Sequence, residues 1–237
     1  RASGCCKSSE AEVSRRCLLT QKTLIEFIIT MPEQQMQIPP EIAQHLQYKN
    51  ILQAHRYLTS TQVVRDSGGA IPRPLSSEMA SGLLGSMIVE SGSADLSQLD
   101  VVERGSGAGR GALQYTGWRR QAYDAARQRQ LEVGGNPNEL AWQLLYMAQE
   151  YAGYHDQNGN GNSLSGFTRA FEQPDRAITP EDASFMLTRD YLRPATGSEH
   201  YDRRATEARR VQDFIDQQKS IRQQEQSSNL FSGGDLI

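Results

Sequence analysis

Glu90 is the residue of this 237-residue chain whose position most directly suggests chemistry. It ends the apolar stretch "GLLGSMIVE" and is followed at once by Ser91 and Gly92, where a helix would stop. The free carbonyl groups at a helix end disfavour a second negative charge. Because an apolar wall adds to this effect, we expect the pKa of Glu90 to be raised, as a general acid requires. The simpler alternative is a hydrated surface glutamate.

A second group of candidate residues follows a glycine-rich segment. The segment "GSGAGRG" over 105–111 lacks the ending of a P-loop and the spacing of a dinucleotide-binding fingerprint. It leads into "ALQYTGW", which combines a glutamine and a threonine with two aromatic side chains. This neighbouring pattern favours a functional Glu90 over a hydrated one.

Composition and spacing argue against several other chemistries. The three cysteines, Cys5, Cys6 and Cys17, lie in the first 17 residues, so no disulfide framework or cysteine metal site is expected in the rest. The histidines lack zinc-site spacing, and the calcium-like "DQNGNGN" over 156–162 has Phe167 where a glutamate should close the loop. A net charge of −3 with interleaved arginines and acids disfavours nucleic acid. We therefore expect no cofactor, no metal and no nucleic-acid partner.

The elements that must position these residues are predicted to be helices, and the fold class is mainly α. The predicted helices span about 41–58, Ser77 to Glu90, Trp118 to Leu131, Asn136 to Gly153, Thr179 to just before Pro194, and a long polar helix after His200. The helix that carries Glu90 also contains Ala80, Gly82 and Gly85, which should permit close approach by neighbouring elements.

Composition changes along the chain predict four segments. Residues 1–30 form a leader of uncertain origin, with Met31 as a natural start, or else a helical arm packed on a partner. Residues 31–72 form a helical arm that ends in the linker "DSGGAIPRPLSS", 73–195 form the main domain, and 196–237 form a C-terminal helix and tail. No stretch reaches the roughly 18 uninterrupted apolar residues that a transmembrane helix needs.

The order of the motifs resembles the phage tail lysozyme family of the lysozyme-like superfamily. The shared pattern is a helix ending in "ESG", a variable loop, the segment "GALQYTG" followed by "RR", and later "YLRP" with an arginine-rich helix behind it. The resemblance covers roughly residues 73–215. Two departures are the glycine-rich loop 105–110 and Leu192, where the family more often has glutamate.

This resemblance implies a lysozyme-like fold and muralytic activity. It identifies Glu90 as the catalytic acid and implies that Gln114, Tyr115 and Thr116 form part of the floor of a sugar-binding cleft. Tyr115 and Trp118 could stack on sugar rings, or they could be ordinary core aromatics.

Cleavage of a glycosidic bond also needs a group that stabilises positive charge or activates water. Asp95, Asp100 and Glu103 are the nearby acids, and we prefer Asp100 because Asp95 could simply cap the turn after Gly92. The alternative is catalysis with one carboxylate and assistance from the substrate's N-acetyl group, as in the lytic transglycosylases.

The combined expectation is a lysozyme-like domain with helical extensions that cleaves the β-1,4 glycan strands of bacterial peptidoglycan. It would be a phage virion component, in the tail or internal core, that acts at the host cell wall or periplasm during genome delivery. The segments 31–72 and 196–237 would contact other virion proteins. The rivals are an inactive structural tail or core protein with the same fold, and an endolysin for host lysis.

Overall fold

The computed structural model describes residues 48–152, 178–192, 194, 197 and 199–232. The predicted leader 1–30, the first part of the predicted arm and the calcium-like segment 156–162 lie outside these residues. The helices are α1 (Lys49–Leu58), α2 (Thr61–Asp66), α3 (Ser77–Ser91), α4 (Gly117–Glu132), α5 (Leu140–Tyr151), α6 (Pro180–Leu187), which continues as a π-helical turn (Thr188–Leu192), and α7 (Tyr201–Ser232).

The mainly α fold predicted from the sequence is confirmed. Within the described ranges, β structure is limited to two isolated bridges, which pair Arg110 with Val102 and with Tyr115. None of the described helices is both long and apolar enough to cross a membrane.

Helix α3 runs through the centre of the described structure, and every residue from Met79 to Val89 is buried. A helix that is apolar on all sides needs partners on all sides. It packs mainly against α6 and α7, and also against α1. Ile51 and Leu58 of α1 are 2% and 0% exposed and belong to the same core, so α1 packs with the helices that follow it.

Side chains at the helix ends explain several boundaries. The Ser76 hydroxyl accepts a hydrogen bond from the Met79 N–H at the start of α3. Thr179 and Asp182 form the capping box that starts α6, with Pro180 in the first turn. Gly92 ends α3 with a φ of 66°, a left-handed conformation that glycine adopts at little cost.

Helix α5 begins at Leu140, four residues after the start predicted at Asn136. The Asn136 side chain instead accepts a hydrogen bond from the Asn138 N–H at 2.9 Å, which closes a turn before the helix. The Asn138 side chain in turn accepts hydrogen bonds from the Leu99 and Asp100 N–H groups. A tertiary contact therefore holds this segment outside the helix despite its favourable helix-start residues.

Candidate functional site

Glu90 lies in the last turn of α3, two residues before the left-handed Gly92. Its side chain is 15% exposed. Loss of solvation on burial raises the pKa of Glu90 above its usual value, and this is the largest influence on it. The raised pKa predicted from the sequence is thus confirmed.

Arg204, near the start of α7, forms an ion pair with this carboxylate. One guanidinium nitrogen, Nη2, lies 2.8 Å from Glu90 Oε1, and the Arg204 side chain is only 2% exposed. The Nε atom donates a hydrogen bond to the Glu199 carbonyl oxygen at 2.7 Å, which fixes the plane of the guanidinium group. The positive charge lowers the pKa of Glu90 and opposes the effect of burial, but the net shift is upward.

The contact between α3 and α7 brings this ion pair together. At Gly85 the two helices approach so closely that a Cβ atom would lie 2.4 Å from the Ala208 backbone nitrogen. Towards the start of α3, the Ser81 hydroxyl donates a hydrogen bond to Gln212 Oε1 at 2.9 Å. In the opposite direction, Glu90 and Arg204 each lie little more than one helical turn from the Gly85–Ala208 contact. The small residues in α3 therefore permit close helix packing, as the sequence predicted.

Glu90 opens onto a cleft with a volume of about 1040 Å³. The cleft is formed by the end of α3, the loop 101–108, the segment 113–116 and the residues at the start of α7. Its charged and titratable lining residues are Glu90, Glu103, Arg104, His200, Arg203 and Arg204. This volume is at the upper end of the usual range for small-molecule sites.

Glu103 is the second carboxylate that lines this cleft among the described residues. Its Oε2 accepts hydrogen bonds from the Ser106 hydroxyl at 2.5 Å and from the Gly109 N–H at 3.1 Å. Glu103 is exposed, and its negative charge contributes to the raised pKa of Glu90. The charge of Glu103 therefore acts on Glu90 within the same cleft.

Asp100, the acid preferred from the sequence, is engaged elsewhere. Its carboxylate accepts hydrogen bonds from Arg110 Nε at 2.9 Å, Arg127 Nε at 2.6 Å and the Tyr123 hydroxyl at 3.0 Å. Its side chain is 11% exposed, and it is not among the residues that line the cleft. Two guanidinium groups and a phenol thus use this carboxylate to anchor the loop on α4.

Asp95 forms the turn after Gly92. Its Oδ1 accepts hydrogen bonds from the Ser93 hydroxyl and from both the N–H and the hydroxyl of Ser97. The hydrogen bonds from Ser97 hold the pKa of Asp95 below its usual value. This is the capping role that the sequence suggested for it.

The four predicted substrate-binding residues separate into two groups. Gln114 and Thr116 line the cleft. Tyr115 is 1% exposed and packs against Tyr123 and Tyr146, with ring centroids 5.2 and 5.1 Å away.

Trp118 is half-buried and is not among the lining residues. The two aromatic rings predicted to stack on sugars are thus placed away from the cleft surface in this structure. The packing of Tyr115 matches the alternative interpretation of these rings as ordinary core aromatics.

Gln114 connects the floor of the cleft to its loop. It has a φ of 48°, and its amide nitrogen Nε2 donates hydrogen bonds to the carbonyl oxygens of Gly111 at 3.0 Å and Val101 at 3.3 Å. A Cβ atom at Gly109 would lie 2.6 Å from Gln114 Oε1, so a larger residue there would displace the end of this side chain. Gly109 of the unusual loop therefore packs directly against Gln114.

Arg119 and Glu150 form a second buried ion pair beneath this floor. Arg119 Nη2 donates to Glu150 Oε2 at 3.0 Å, and Arg119 Nη1 donates to the Tyr191 carbonyl oxygen at 3.1 Å. The guanidinium carbon also lies 4.6 Å from the centre of the Tyr191 ring. The "RR" and "YLRP" motifs are thus joined by a structural network.

The sequence reasoning assigned no role to Arg104, His200, Arg203 or Arg204, which all line the cleft. For the last two of these, the available signal was the Arg203–Arg204 pair at the start of the arginine-rich helix. Among the described residues, no group of three or more histidines, cysteines and acids could hold a metal ion.

Comparison with known proteins supports one family. The family model described as Phage tail lysozyme matches residues 71–215. No curated protein and no solved structure gives a significant match to the chain. The matched range contains Glu90, the cleft loop, the Gln114 segment and Arg204.

Proposed function

Because the chain belongs to the phage tail lysozyme family, we propose that it is a muralytic glycosidase with Glu90 as the general acid. Its substrate is the β-1,4 glycan strand of bacterial peptidoglycan. The observation that carries this proposal is a shielded carboxyl group of raised pKa at the edge of a large open cleft. A carboxyl group of this kind keeps its proton closer to neutral pH and can donate it to a glycosidic oxygen.

The hydrogen bond from Arg204 orients the acid. It uses Oε1 of Glu90, so we assign the transferable proton to Oε2. The tether from Arg204 Nε to the Glu199 carbonyl oxygen holds the guanidinium group in place. A carboxyl group fixed in this way is preorganised for proton transfer and need not reorient during the reaction.

We assign Glu103, and not Asp100, as the second acid of the reaction. Glu103 lines the cleft with Glu90 and is exposed to solvent. An exposed carboxylate can accept a proton from a water molecule as that water attacks the anomeric carbon. Asp100 is poorly placed for this role because two arginines and a tyrosine already occupy its oxygens.

The wild-type protein should release fragments from purified peptidoglycan whose new ends are reducing sugars. Reducing ends require attack by water on the anomeric carbon, which is the step assigned to Glu103. Mass spectrometry of the released fragments identifies the chemistry of the new ends. Anhydro ends would instead indicate a lytic transglycosylase that works with Glu90 alone, and release of no fragments would contradict the proposed function.

We also propose that the protein is carried in the phage virion, in the tail or an internal core, and opens the cell wall for genome delivery. The description of its family as tail lysozymes supports this location. The terminal segments 31–72 and 196–237 would contact neighbouring virion proteins, and Ile221 on α7 is 40% exposed there. Mass spectrometry of purified particles should detect the chain. Its absence from particles would favour an endolysin.

A further inference from the structure

We propose that the cleft contains a carboxylate-binding subsite, formed by Arg104 and Arg203 with Arg204 at its inner end. The ligand would be a carboxylate borne by the muramic acid units of the glycan. This proposal rests on the proposed function and specifies what the same cleft recognises besides the glycosidic bond.

The first observation is the pair of exposed cations on the cleft surface. Arg104 comes from the loop 101–108 and Arg203 from the start of α7, and both line the cleft. Both are exposed, and neither forms an ion pair or side-chain hydrogen bond within the described part of the chain. Two guanidinium groups from separate elements are thus available to one bound ligand.

The second observation is a buried donor without a partner. Arg204 is 2% exposed, and its Nη1 atom has no hydrogen-bond acceptor among the residues that the structure describes. The other two nitrogens of this group are used by Glu90 and the Glu199 carbonyl oxygen. A buried charged donor left unpaired is costly, so an acceptor supplied by a ligand would stabilise it.

The balance of charge in the cleft points to an anionic ligand. The whole chain has a net charge of −3, yet the cleft is lined by three arginines and only two carboxylates. One of these carboxylates, Glu90, is already paired with Arg204. A cleft for a neutral sugar chain alone would not require this excess, whereas arginines bind carboxylates with strong, directional hydrogen bonds.

Peptidoglycan offers such carboxylates from two sources. In the intact polymer, peptides attached to the muramic acid carry free carboxylates, and the lactyl group is an uncharged amide. When an amidase removes the peptides, the lactyl carboxylate becomes free. Chitin has a similar β-1,4 backbone with neither group, and it therefore provides the uncharged comparison.

The test is co-sedimentation of the full chain with insoluble peptidoglycan, in a Glu90→Gln background that prevents digestion. Adding Arg104→Gln and Arg203→Gln together should weaken binding to intact peptidoglycan about tenfold, as expected for lost charged hydrogen bonds. Binding to chitin should not change. Arg56→Gln, at an exposed position of α1 and outside the cleft, is the matched control and should bind like the parent.

The substrate comparison identifies the source of the carboxylate. Weaker binding to the intact polymer assigns the subsite to the attached peptides, and weaker binding only to amidase-treated polymer assigns it to the lactyl group. Unchanged binding to both muramyl polymers would overturn the proposal, as would an equal loss on chitin or with Arg56→Gln. Because binding is measured without turnover, these outcomes differ from a failure of the proposed enzymatic activity, which the fragment analysis of the wild type detects.

Discussion

At Glu90, burial and a neighbouring guanidinium group have opposite effects on the pKa of the carboxyl group. Burial raises the pKa of Glu90, and Arg204 lowers it, with burial the stronger influence. An acid arranged in this way is both shielded and oriented. Burial keeps the proton available, and the hydrogen bond from Arg204 fixes the oxygen that does not carry it.

Replacing Arg204 should therefore change the pH dependence of activity. In Arg204→Gln the lowering influence is lost, so the pKa of Glu90 rises further and the alkaline limb of kcat/KM moves to higher pH. Arg204→Lys, which keeps the charge, should move this limb less. The measurement is the pH profile of peptidoglycan cleavage at a temperature where circular dichroism shows that both variants are folded. An alkaline limb that stays in place or moves to lower pH in Arg204→Gln would contradict the assigned interaction.

Among the helices, the contact between α3 and α7 determines whether Glu90 and Arg204 meet. Alanine usually stabilises a helix interior by about 1 kcal/mol relative to glycine. In Gly85→Ala, however, the new Cβ would lie 2.4 Å from the Ala208 backbone nitrogen, so the helices must separate.

We expect Gly85→Ala to lower the free energy of unfolding by about 1–3 kcal/mol, measured by urea denaturation, and also to reduce activity. A lower free energy of unfolding would support the close contact between α3 and α7. Equal or greater stability would mean that the helices are not in close contact at this position.

At its other end, α3 is joined to α1 by a buried histidine. His55 of α1 is 7% exposed, and its Nε2 lies 3.0 Å from the Ser77 hydroxyl of α3. Burial, together with the positive charge of Lys219, lowers the pKa of His55 from 6.5 to about 4. The folded protein therefore keeps this imidazole neutral at a pH where the unfolded chain binds a proton.

The stability that neutral His55 provides is fully present above pH 6.5 and is lost as the pH falls from 6.5 towards 4. The difference between these pKa values corresponds to about 3 kcal/mol. The free energy of unfolding should fall by roughly this amount in addition to the contribution of other groups. It should be measured by denaturant titration at several pH values. His55→Gln should show a flatter dependence on pH, and an unchanged slope in this variant would contradict the account.

For the whole molecule, local signals in the sequence predicted the helices and the position of the acid. The capping box at Thr179 and the glycine at position 92 are local features, and both form the predicted helix ends. Glu90 could be identified because its setting depends mainly on its own helix.

The partners of Glu90 could not be chosen from the sequence, because they depend on how distant segments fold together. Arg204 is far from Glu90 along the chain and reaches it through the helix contact at Gly85. Asp100 is close to Glu90 in sequence, but Arg110 and Arg127 draw it towards α4 and away from the cleft. The sequence preference for Asp100 rested on the turn-capping role of Asp95 and gave no ground against Glu103, which lines the cleft in the fold.

The central claim is that proton donation by Glu90 cleaves the glycan, and the release of soluble fragments from purified peptidoglycan by Glu90→Gln tests it most directly. We predict that this variant releases fragments at least about 100-fold more slowly than the wild type, because an amide cannot donate the proton. Its thermal unfolding should show that it is folded. Glu132→Gln, at an exposed position of α4, is the matched control and should retain the wild-type rate. A Glu90→Gln variant that cleaves as fast as the wild type would contradict the account.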